Sequence, residues 1–171
     1  MLALFISAFV TLFVVIDPPG VAPIFASLTN GTSTRHRRSM AWKSVTLAGG
    51  ILLFFALLGE ALLGALGVSL DAFRIAGGIM LFLIAIDMVF EKRTERREER
   101  AQKIIDTPEI EDVSVFPMAM PMIAGPGSIA SVMLLMSQNE GIERASVILA
   151  ALGAVLVLMY MPIFELAGNL Q

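Results

Sequence analysis

The chain has 171 residues, 57% of them hydrophobic and only 16% charged, with no cysteine and a net charge of −3. Soluble domains are about half apolar and about a quarter charged, so this composition excludes an ordinary water-soluble fold. The lack of cysteine excludes disulfides, thiolate metal sites and cysteine nucleophiles, and the single histidine, His36, lies among arginines in a polar loop.

In chain order, residues 1–28 are the first apolar segment. Arg35 is the first basic side chain and no small-residue cleavage site is evident, so the segment reads as a retained span and not a signal peptide. Asp17-Pro18-Pro19-Gly20 interrupts it. Each proline removes a backbone donor and pushes the preceding residue out of the α region. A fresh helix start is expected there, with Asp17 as N-cap and Pro18 at the first helical position. At about 1.5 Å per residue the break falls some 24 Å from the N-terminus, towards one face of the membrane, and residues 18–28 are open to forming part of a re-entrant hairpin. Residues 44–66 and 72–90 are uninterrupted spans. Residues 91–112 are polar, with six basic and eight acidic side chains. Their alternating signs and pairs such as Glu99 with Lys103 predict a solvated helical arm over 91–103, not a polybasic lipid-binding patch. Residues 113–136 are apolar but broken by Pro117, Pro121 and Gly125-Pro126-Gly127-Ser128, and 145–168 complete the set.

About 18 or more apolar residues cross the roughly 30 Å hydrocarbon layer as a helix, and lipid offers no partner for unpaired backbone groups, so the segments are helical. Small residues at helical spacing, Ala72 with Ala76 and Ser146 with Ala150 and Ala154, fit close helix packing. Laying Pro19-Gly20 over Pro126-Gly127 shifts the chain by 107 residues, bringing the first span onto the fourth and the second close to the fifth. Three spans per repeat is an odd number, so the copies face opposite ways, as in many secondary transporters. The expected fold is an all-α polytopic membrane bundle of 3+3 inverted-repeat architecture with broken first and fourth spans, ending here after five. It forms a single transmembrane domain, 1–171, made of repeat one (1–90), the arm (91–112) and an incomplete repeat two (113–171).

Ten of the twelve Lys and Arg residues lie in the loops 29–43 and 91–112, which share one side if every segment crosses once. The positive-inside rule puts these loops in the cytoplasm and the N-terminus outside. That rule accounts for the basic residues at 35–43, so no nucleic-acid partner is expected.

Solute binding is expected at the two breaks, Asp17, Pro18, Pro19 and Gly20 with Gly125, Pro126, Gly127 and Ser128, because a half-helix N-terminus offers unpaired N–H groups to an anion. Prolines that merely kink the helices are the plainer alternative. Asp17 has several open roles: carrying a coupling proton, binding a coupling cation, fixing a substrate amine or capping the half-helix. Ser7 and Thr11, one turn apart, either extend a polar path or bond their own backbone. Glu60 and Arg74, on consecutive spans, are expected to form an intramembrane ion pair, and Asp87 to reach the interface. Glu165 takes nearly the place of Glu60 in the second repeat, with its partner expected on a sixth span.

IDPPGVAPIF (16–25), AFRIAGGIMLFLIAIDMVF (72–90) and PMAMPMIAGPGSI (117–129) together resemble the MarC family of bacterial inner-membrane proteins, related to the LysE-type amino-acid exporters. The resemblance covers essentially the whole chain. It implies six spans in inverted repeats and movement of small solutes such as neutral amino acids; the family pattern departs here in the missing sixth span. Asp17, Pro18, Pro19, Gly20, Arg74, Gly77, Gly78, Asp87, Gly125, Pro126, Gly127 and Ser128 match its motif positions. The leading expectation is a secondary transporter or exporter of small polar solutes, coupled to a proton or cation gradient, in the bacterial inner membrane. A channel or a non-transporting scaffold is the alternative. An enzyme is not expected, since the sequence offers no cysteine, no membrane histidine and no metal-ligand cluster, and Asp17 with Asp87 is only a formal pair for intramembrane aspartyl chemistry; no cofactor or metal is implied. A homo-oligomer is left open.

Overall fold

The computed structural model describes residues 1–90, 92–105, 112–139 and 141–169, with the side chains of 93, 94, 100, 104 and 162–169 outside the description. The described residues form helices and connecting turns: α1 (Leu2–Ile16), α2 (Pro18–Leu28), α3 (Thr34–Ala65), α4 (Leu70–Val89), α5 (Lys92–Ile105), an irregular wide-turned segment (Ser114–Ile123), α6 (Pro126–Gln138) and α7 (Ile142–Asn169). By length and apolarity four spans are present, or five when the wide-turned segment and α6 count as one. The chain therefore folds as an all-α polytopic membrane bundle.

Local chemistry sets the breaks. α1 ends and α2 begins at Asp17, whose backbone turns left-handed (φ 60°, ψ 63°) and whose carboxylate accepts the Gly20 N–H at 3.1 Å. α2 follows α1 closely enough to read as one 27-residue span, Leu2–Leu28, so residues 18–28 continue a crossing and do not fold back as a hairpin. The fourth span is more disturbed. Phe116 and Met120, each before a proline, are extended, and the N–H groups of Met118 and Ala124 reach back five residues, to Val113 and Ala119. This segment meets α6 at 51°.

Packing is reciprocal between the two halves. α1 and α2 pack against α7, while the wide-turned segment and α6 pack against α3; α3 and α7 pack against each other. The buried stripe of α3, from Met40 through Ala48 and Leu52 to Gly59, recurs at helical spacing and faces this centre. Leu12, Ile16, Phe25, Met118, Ile123 and Met159 fill the core beside it. Outside, the bundle is apolar: α4 leaves Ile75, Ile79, Phe82 and Leu83 bare, the arrangement lipid favours and water opposes.

α5 departs from the solvated arm that its charges predict. It is a helix, but it lies against α2 and α4 and buries Arg97 and Ala101. α4 covers α6, and α5 covers the corresponding flank of α2.

Lys43 Nζ lies 3.1 Å from Asp112 Oδ2, and the Ser114 N–H donates to Oδ1 at 2.9 Å. Burial works to raise the Asp112 carboxyl, but the bonds from Ser114 and Lys43 outweigh it and hold it at about 2, below the ordinary 3.8. A depressed folded-state value stabilises above the ordinary one and loses that contribution as pH falls through the folded one. Melting temperatures of wild type and Asp112→Asn are thus expected to differ slightly at neutral pH and to converge as pH falls from about 4 to about 2.

Candidate functional site

The four residues of the second break share a cavity. Gly125, Pro126, Gly127 and Ser128 line a space of about 590 Å³, walled by Met80, Ile84 and Asp87 of α4, by Arg96 and Arg97 of α5 and by Phe116 and Pro121. The volume suits a small molecule. Gly125 is the N-cap of α6 and makes no side-chain cap, so first-turn N–H groups of α6 are left without a capping side chain. Both glycines are there for close approach: a Cβ on Gly125 would run into the Pro121 carbonyl oxygen, and one on Gly127 into the tip of Ile84 and, at 3.2 Å, Val15.

Val15 also places the end of α1 beside this wall. The first break reaches the cavity by way of an ion pair: Arg97 Nη1 is 2.8 Å from Asp17 Oδ2, with side-chain exposures of 9% and 22%. Asp87 lines the cavity too and holds Arg96 at 2.9 Å. Pro18 is buried and Pro19 exposed. Gly20 lines a separate, smaller space of about 340 Å³ between α2 and α5. Asp17 thus unites the breaks, whereas Pro18, Pro19 and Gly20 serve the restart of α2. Ser7 is exposed on α1, and Thr11 is half-buried.

The expected pair of Glu60 with Arg74 does not form. Arg74 instead salt-bridges Asp71, one turn earlier on its own helix, at 3.3 Å, and donates to the Ser137 carbonyl at 2.6 Å. The guanidinium is drawn to the unpaired carbonyls at the C-terminal end of α6, where a cation complements the helix dipole. Glu60 is exposed and lines another cavity, of about 370 Å³, with Ser137 and Asn139. Glu165 lies outside the described side chains. Arg74→Met is expected to cost about 1–2 kcal/mol, because it leaves a carbonyl bond to a charged donor unmade. Glu60→Gln is expected to be close to neutral, and thermal melts of the two variants compare them directly.

Arg96 and Arg97 were not evident as site residues from sequence. The available signal was Ala101, one turn beyond Arg97 on a helix otherwise crowded with charge, and buried in the fold. Among the described residues no group of three or more His, Asp or Glu side chains is arranged to hold a metal.

Comparison with known proteins agrees with a membrane-embedded chain. The profile described as MarC family integral membrane protein matches residues 2–169. A UPF0056 membrane protein of Methanocaldococcus jannaschii is 38% identical over 154 residues, covering 90% of this chain and 67% of its own. UPF0056 membrane protein YvbG of Bacillus subtilis is 32% identical over 161 residues, covering 94% and 76%. UPF0056 membrane protein YhcE of Escherichia coli is 37% identical over 124 residues, covering 72% and 57%. No solved structure matches the chain. With a bilayer-adapted bundle, both proline breaks and a family match over nearly its whole length, the chain belongs to the MarC family of integral membrane proteins.

Proposed function

We propose that the chain is a secondary transporter or exporter of a small polar solute, neutral amino acids being one class, which binds in the cavity at the second break. The observation that carries this reading is the meeting, in one cavity of about 590 Å³, of an uncapped helix start, bare glycine backbone and charged side chains within an otherwise apolar bundle. Discontinuous helices whose ends face a solute are how many transporters replace its hydration shell. Passage, not bond-making, is the chemistry, and a proton or cation gradient drives it. By the distribution of Lys and Arg the face carrying α5 lies in the cytoplasm of the bacterial inner membrane, with the N-terminus outside.

Counterflow of labelled glycine and alanine into proteoliposomes tests the reading. Met80→Trp fills the cavity from α4, while Phe82→Trp makes a similar change on the exposed face of the same helix. Saturable exchange is expected in wild type and Phe82→Trp and most of it is expected to be lost in Met80→Trp. A folded wild-type protein that exchanges no amino acid across a full panel would overturn the solute class, and flux that never saturates would indicate a channel.

A further inference from the structure

The cavity is furnished unequally. At the start of α2 the Gly20 N–H is already taken, by the Asp17 carboxylate. The start of α6 has no such side chain. Next to it Ser128, 2% exposed and part of the cavity wall, makes no hydrogen bond from its hydroxyl to any described residue. Across the same space stands Arg97, from the arm, 7% exposed. The acidic groups at hand are both engaged, Asp17 with Arg97 and Asp87 with Arg96. The Ser128 hydroxyl and the first turn of α6 are then donors with an open position.

We propose that α5 completes the solute site: Arg97 receives the anionic group of the solute, which bridges it to the Ser128 hydroxyl and the first turn of α6. Asp17 is the internal anion that holds Arg97 while the cavity is empty. An incoming carboxylate takes over the bond to Arg97, so the solute needs a carboxylate or an equivalent oxyanion. The exchange keeps the buried guanidinium paired throughout, and the released Asp17 carboxylate, the more exposed partner at 22%, keeps the Gly20 N–H. It also makes Asp17 a competitor for Arg97, not a contact of the solute. The proposal rests on the cavity being the solute site but is tested by binding, apart from transport.

The experiment is titration calorimetry on the purified full chain in detergent with alanine, propionate, alaninamide and inorganic phosphate. Alanine and propionate are expected to bind and alaninamide is not. Phosphate binding as tightly as propionate would place a free oxyanion, not a carboxylate solute, at the same donors. Arg97→Gln is expected to weaken propionate about tenfold or more and Ser128→Ala a few-fold, the scale of hydrogen bonds to charged groups. Lys92→Gln, on the same helix, should leave binding unchanged. Asp17→Asn is expected to tighten propionate several-fold, the opposite of what a direct solute contact would give. Arg97→Lys, which keeps the charge, should retain part of the affinity and separates lost binding from lost folding. Unchanged propionate affinity in Arg97→Gln, weaker affinity in folded Asp17→Asn, or equal binding of alaninamide would overturn the proposal. Carboxylate binding without counterflow would overturn the transport reading alone.

Discussion

Asp17→Ala is expected to destabilise the folded chain by about 2–3 kcal/mol, at or below the low end of the roughly 3–5 kcal/mol for a fully buried ion pair because the Asp17 side chain is 22% exposed. Three losses coincide. Arg97, its side chain 9% exposed, gives up a carboxylate at 2.8 Å. The Gly20 N–H gives up its cap, a contribution of about 1 kcal/mol elsewhere. Alanine would also have to hold φ 60°, which aspartate and asparagine tolerate better because their short polar side chains bond locally. These terms share one residue and do not add, so the pair sets the scale. Asp17→Asn keeps the cap oxygen and the backbone preference and should lose roughly half as much. Thermal melts in detergent give the ranking, and hydrogen exchange on α5 shows whether the arm loosens with the pair. Equal melting temperatures for wild type and both variants would mean that the arm is held by its other contacts, and the ion pair would then be incidental.

The packing of α5 on elements distant in sequence explains why the site was only partly legible in the sequence. The breaks were legible because their cause is local: proline at 18, 19, 117, 121 and 126 removes donors wherever the chain goes. Asp17 as cap, Pro18 at the helix start and Pro126 opening α6 follow from the same short-range chemistry. Alternating charge on α5 has no such determinacy, since the pattern serves a helix in water and a helix folded back with one buried arginine. Choosing between them depends on partners distant in sequence, among them Asp17, eighty positions from Arg97. Arg74 shows the same thing. Its distance in sequence from Glu60 suggested a pair, but the carbonyl end of α6 competes for the guanidinium, and that helix end comes from the other half of the chain.

Gly125→Ala and Gly127→Ala are both expected to destabilise, and the way each can be rescued separates two kinds of crowding. At Gly125 the backbone itself asks for nothing unusual, with φ −79° and ψ 171°. The obstacle is the Pro121 carbonyl oxygen, which belongs to the main chain and moves only if the wide-turned segment swings away from α6. Overpacking of this sort costs about 1–3 kcal/mol, and here the upper part is expected because the 51° bend has to change. At Gly127 the nearest obstacle is the Cδ1 of Ile84, the far end of a side chain, with Val15 Cγ1 behind it at 3.2 Å. Gly127→Ala should therefore cost less, and Ile84→Ala should recover most of that cost by vacating the space. The same Ile84→Ala change does nothing for Gly125→Ala. In a double-mutant cycle on melting free energies, Gly127 and Ile84 should couple by about 1 kcal/mol and Gly125 with Ile84 by close to zero. Coupling of both glycines to Ile84 would mean that α4 and the wide-turned segment move as one wall, and the break would then be a property of the α4–α6 contact and not of the prolines before it.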